Sequence, residues 1–162
     1  MLVSIASLDT IYVLTELPPQ NYCTAGTTTN GCNASISSSG VPTASATSGF
    51  TIGVSNVEGQ KLGLIFYGIS GRHNAVWSPG STSFLCVKTP VQRTPSQNSG
   101  GTSGACDGAL SIDWLAYIAT HPSALGAPLV PGTIVDAQAW FRDPPAPGTT
   151  NLSDALEFVV RP

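Results

Sequence analysis

The stretch TIVDAQAWFRDPPAPGTTNLSDALEFVV, residues 133–160, decides the fold. Val135, Ala137, Ala139 and Phe141 fall on one face of an extended segment, and Asp136, Gln138 and Arg142 fall on the other. Leu156, Phe158 and Val160 alternate in the same way about Glu157. Side chains of a strand point to its two sides in turn, so this period of two marks strands with one buried face. The connector DPPAPGTTNLSD, residues 143–154, holds three prolines and one glycine. Proline has no N–H to give to a ladder, so the connector reads as a turn-rich link rather than as strand. The expectation is a hairpin that closes the core, with Phe141 and Phe158 inward and Glu157 exposed on the opposite face.

The same period recurs upstream. Phe50, Ile52 and Val54 alternate with Thr51, Gly53 and Ser55, as in a half-buried strand. KLGLIFYGI, residues 61–69, is apolar on both faces, which suits a central strand. SFLCVK, residues 83–88, reads as a buried strand, and residues 109–113 turn Leu110 and Ile112 inward. Residues 34–38 and 43–48 read as edge strands of small side chains. Between these, residues 68–83 read as a long loop carrying Arg72, His73 and Trp77, and residues 89–108 as a Pro/Gly/Ser-rich excursion. WLAYIAT, residues 114–120, predicts one short helix with Asp113 as its N-cap and a stop before Pro122. At that length it must pack on a sheet to persist. Seven to nine short strands separated by turn signals point to an all-β protein. The expected fold is an antiparallel β-sandwich, Ig-like or jelly-roll-like, with one short helix and long disulfide-stapled loops.

Residues 2–6 and 10–15 look like two further strands, and Leu17-Pro18-Pro19 breaks the pattern. The expected division is residues 1–19 as N-terminal strands or the tail of an upstream domain plus linker, and residues 20–162 as the β-sandwich module. MLVSIASLDT lacks the basic start and the cleavage site of a signal peptide, so the chain reads as a domain excised from a longer secreted protein.

Only 9% of the 162 residues are charged, against a usual ~25%, so solubility rests on hydroxyls and amides. With a net charge of −3 and no basic cluster, nucleic acid is not an expected partner. No apolar run reaches the ~18 residues of a transmembrane helix. The four cysteines, Cys23, Cys32, Cys86 and Cys106, form no C-x-x-C pair, and only His73 and His121 stand by to complete a zinc site. An even count in such a chain points to disulfides and an oxidising compartment. Three pairings are open; Cys23–Cys32 and Cys86–Cys106 are favoured because each brackets a small, polar loop.

Catalytic motifs are weak. Gly68-Ile69-Ser70-Gly71 lacks the spacing of a nucleophile elbow. His73 beside Ser70 or Ser78 is a bare pair without an orienting acid. Asp107 and Asp113 read as turn and cap residues rather than a glycosidase pair. Asp143, Asn151 and Asp154 bring oxygen ligands of the type calcium takes, without the usual D-x-D-x-D spacing; otherwise no cofactor is implied. Among the aromatics, Tyr22, Trp77 and Trp140 are the candidates for stacking on a ligand, with Tyr67 and Tyr117 also near loops. The plainer expectation is that Trp114 and Trp140 cover the core.

Five blocks carry a resemblance: YCTAGTTTNGC, GFTIGVSNVEGQKLGLIFYG, SFLCVKTPVQRTP, GGTSGACDGALSIDW and AQAWFRDPPAPGTTNLSDALEFVV. Together, from Tyr22 to the end, they resemble an uncharacterised C-terminal module of large secreted or surface proteins of planctomycete- and myxobacteria-type bacteria. Members often end in Cys-Pro, whereas this chain ends Arg161-Pro162. The resemblance implies an extracellular or cell-surface location behind other domains, and no catalytic residues. Three functions follow as expectations. The first is a non-catalytic terminal module for attachment, sorting or assembly, whose partners are other domains of its parent protein or surface and matrix components. The second is a carbohydrate-binding module beside an upstream enzyme. The third is a small secreted hydrolase.

Overall fold

The computed structural model describes residues 17–162, so the strands expected at residues 2–6 and 10–15 lie outside the described residues. The strands in chain order are β1 (Gln20–Tyr22), β2 (Ser35–Gly40), β3 (Phe50–Val57), β4 (Leu62–Gly68), β5 (Arg72–Val76), β6 (Phe84–Val87), β7 (Val91–Arg93), β8 (Gln97–Asn98) and β9 (Gly108–Asp113). The helix α1 (Trp114–Thr120) follows, then β10 (Ile134–Arg142), a short 3-10 turn, and β11 (Thr150–Val159). One sheet runs β1-β11-β10-β4-β7, with β8 also on β4; a second runs β2-β3-β9; β5 and β6 form a separate hairpin. The pairings between named strands are antiparallel.

The core lies between the two sheets, as an antiparallel β-sandwich. Val135, Ala137, Ala139 and Phe141 of β10 are fully buried, with Leu156 and Phe158 of β11 and Ile65 and Tyr67 of β4 beside them. Ile36, Phe50, Ile52, Val54 and Leu110 of the three-stranded sheet close the same cluster. Asp113 caps α1 by accepting from the Ala116 N–H at 3.0 Å. That cap drops Trp114 into the core, edge-on to Tyr67 and Phe158 at ring separations of 5.6 and 5.1 Å. Edge-to-face packing of this kind adds to the burial of the rings.

Four expectations need correction. Residues 68–83 are not a loop: they contain β5, whose side chains are mostly exposed and polar, so no apolar alternation marks it. Residues 43–48 are not a strand; Thr43 makes only an isolated bridge to Arg161. The terminal connector is shorter than expected, because pairing with β10 resumes at Thr150, three residues after the last proline. A register shift between Gln138 and Trp140 absorbs the mismatch.

The fourth correction is the disulfide pairing. Cys23 joins Cys86 and Cys32 joins Cys106. Spacing along the chain cannot show why, but topology does. Strands β2 and β9 both run antiparallel to β3, so they start at the same end of the sheet. Cys32 and Cys106 precede those two starts and meet there, with Cα atoms 5.3 Å apart. Cys23 leaves the edge strand β1 with a left-handed φ of 71° and reaches β6 instead.

Candidate functional site

Alternation placed Asp136 and Gln138 on the outer face of β10, and a half-buried strand would leave them in water. Both are fully buried, because the β5–β6 hairpin lies across that face. Gln138 seats it. Its Oε1 accepts from the Cys86 N–H at 3.0 Å, and its Nε2 donates to the carbonyls of Phe84 and Ser153, both at 2.8 Å. The Tyr22 hydroxyl lies 2.8 Å from both the Cys86 carbonyl and Asp136 Oδ1. Arg72 of β5 pairs with both oxygens of Glu157 at 2.9 Å, and its guanidinium stands 4.4 Å over the Tyr22 ring. Glu157 is therefore paired rather than free. The Cys23–Cys86 bond fastens the hairpin to β1.

Electrostatics follow from this burial. The Asp136 carboxyl is pushed above the usual range, chiefly by desolvation; Tyr22 as a donor and Arg72 oppose the shift, and Glu157 adds to it. Asp136 Oδ2 is buried without a partner. The single Tyr22 hydrogen cannot serve two acceptors at once. Burial likewise raises Tyr22, so the phenol is neutral, while hydrogen bonds from Arg72 hold Glu157 below its ordinary value.

A cleft runs along each side of the hairpin. On the β1 side it is open and of mixed character, lined by Tyr22, Thr24, Arg72, His73, Asn74 and the Cys23–Cys86 bond among others. On the other side is an apolar groove of about 320 Å³. Leu64 and Phe66 of β4 form its floor with Trp140 of β10, Trp77 and Leu85 come from the hairpin, and Thr89, Val91 and Arg93 complete the rim. Trp77 is fixed by its indole N–H, which donates to Thr150 Oγ1 at 2.8 Å.

Of the three candidate ligand-binding rings, Trp77 and Trp140 line this groove together, whereas Tyr22 lies on the opposite side of the hairpin. Trp114 covers the core as expected; Trp140 does not, and packs in a second apolar cluster on the outer face. Tyr67 is buried with its hydroxyl on the Leu125 carbonyl, and Tyr117 stacks on His121 at 4.2 Å.

The three candidate calcium ligands do not form one site. Asp143 and Asn151 meet at 3.2 Å, and Asp143 also accepts from the Thr29 N–H. Asp154 lies in β11 rather than in the connector, and its oxygens accept from the Ile36 N–H and Asn21. Among the described residues no group of three or more His, Cys, Asp or Glu is placed to hold a metal ion. Ser78 donates to the Pro147 carbonyl, and among the described residues His73 makes no hydrogen bond to Ser70 or Ser78. Asp107 accepts from the Thr102 N–H and Asp113 from those of Gly49 and Ala116, as turn and cap residues do.

Sequence reasoning missed Gln138 as the seat of the hairpin, and Leu64, Phe66, Leu85 and Arg93 as groove residues. One signal was present: KLGLIFYGI is apolar on both faces, which requires a cover on each. No helix among the described residues is long and apolar enough to cross a membrane. No protein-family model matches the chain, and comparison with curated proteins and with solved structures returns no match.

Proposed function

We propose that this chain is a non-catalytic module of a secreted or cell-surface protein, acting in attachment, sorting or assembly by holding an apolar part of a partner in the groove beside the hairpin. The observation that carries the reading is the meeting of Trp77 and Trp140, from distant parts of the chain, in one preformed apolar groove. Two disulfides fit an oxidising compartment, and the resemblance to secreted bacterial modules supports the same setting. A carbohydrate ligand is the weaker reading. Sugar hydroxyls are recognised by carboxylates and amides as well as rings, and none of the groove's lining side chains is either.

The test is titration with the neutral fluorophore N-phenyl-1-naphthylamine. Saturable binding is expected, and Trp140→Ala should weaken it by roughly fivefold to tenfold, the scale of one lost aromatic contact. Leu64→Ser, which keeps both rings, should weaken it too. Binding unchanged in both variants overturns the reading. Retention on a glycan array that disappears in Trp140→Ala would replace it with the carbohydrate reading.

A further inference from the structure

Each polar side chain of the groove can donate a hydrogen bond, and only the Thr89 hydroxyl can also accept one. Besides the Trp77 indole N–H, its lining contains three groups that can donate: the Trp140 indole N–H, the Thr89 hydroxyl and the Arg93 guanidinium. Among the described residues none of the three has a hydrogen-bond or ion-pair partner. The Trp77 indole N–H, by contrast, is already used by Thr150. No acid lines the groove, whereas Arg72 on the other side of the hairpin is matched by Glu157. An occupant that complements the groove therefore brings an apolar body and an acceptor with negative charge.

The apolar surface also has direction. Leu62, Leu64 and Phe66 share one face of β4 by strand alternation, and exposure rises from Phe66 at 6% to Leu62 at 49%. The strip thus runs along the strand for roughly 13 Å from Phe66 to Leu62, about 7 Å of it past the groove, counting ~3.3 Å per residue. A compact ligand would leave Leu62 uncovered, whereas an extended chain with successive apolar residues would cover it.

We infer that the groove binds an extended segment of a partner polypeptide that places a large apolar side chain against Trp77 and Trp140 and a carboxylate next to it on Arg93. This rests on the groove being a binding site and adds the chemistry of its occupant. Planar guanidinium accepts a carboxylate in two parallel hydrogen bonds, which sets the orientation of the segment as well as its charge.

The experiment compares two probes, the tripeptide acetyl-Leu-Gly-Phe with a free C-terminal carboxylate and the same peptide as its amide, both followed by the protein's tryptophan fluorescence. The acid should bind roughly fivefold to tenfold more tightly than the amide, and the gap should shrink with added salt. Arg93→Gln should abolish the gap, weakening the acid more than the amide, and Arg93→Lys should restore part of it. Equal binding of acid and amide to the wild-type chain overturns the inference but leaves the groove as a binding site. Failure of both peptides to bind overturns the inference; if the neutral fluorophore still binds, the groove reading survives it. A gap that persists in Arg93→Gln also overturns the inference.

Discussion

On its inner face the six-stranded sheet meets its neighbours through Val135, Ala137, Phe141, Leu156 and Phe158, all buried among rings and branched chains. On its outer face the same two strands meet the β5–β6 hairpin through Gln138 and Glu157, with Asp136 reaching it by way of Tyr22 and with a small apolar contact between Leu152 and Val87. The inner contact depends on area and fit and has little direction. The outer contact adds to a smaller apolar cluster a set of donors and acceptors whose match has direction. The difference teaches that bulk stability and the placing of the hairpin have separate sources. Since Trp77 and Leu85 ride on the hairpin, the shape of the groove depends on the polar face.

The largest effect should come from the inner face. Phe158→Ala removes a ring packed against Phe50 at 4.7 Å and Trp114 at 5.1 Å. Lost transfer energy and the remaining cavity should cost about 3–5 kcal/mol of a total near 5–15 kcal/mol. A urea melt with an unchanged midpoint would break the assignment of that face as the core.

Gln138→Ala should come next. It leaves the Cys86 N–H and two carbonyls without partners under the hairpin, at about 1–3 kcal/mol for such buried groups. The distinguishing readout is local. Amide exchange should quicken in β5 and β6 and stay slow in β3 and β10. Uniform acceleration would mean that the two faces are one cooperative unit.

The smallest effect is a pH slope. Burial raises the folded-state value of Asp136 above that of the unfolded chain, so the folded form holds the proton more tightly. Its contribution is complete below about pH 4, the unfolded value, and is lost as pH rises through the folded value. Asp136→Asn keeps the shape and cannot ionise. Its stability relative to wild type should therefore rise as pH climbs from about 4, and a gap independent of pH would show that Asp136 is charged in the fold.

Much of the sandwich was legible because burial on one face imposes a period of two, as in residues 133–142, and because a cap and a proline bracket α1. The hairpin was not, because Arg72, His73 and Asn74 are exposed on β5 and carry no apolar rhythm. Asp136 and Gln138 looked like solvent residues for the same reason: a polar face covered by hydrogen bonds has the composition of a wet one. The rings Trp77 and Trp140 could be named from sequence, but their meeting required the hairpin. Arg93 gave no signal at all, since only its place on the groove rim distinguishes it from the other cations without an acid partner.

The two disulfides overlap along the chain, from Cys23 to Cys86 and from Cys32 to Cys106. Consider a protease that cuts once. Between Cys32 and Cys86 both bonds bridge the break; from Cys23 to Cys32 the first does, and from Cys86 to Cys106 the second does. The exposed stretches around Gly31, Gly80 and Gly104 all fall inside that span. A molecule nicked at any of them gains one water but its pieces stay joined, and they would separate only after reduction.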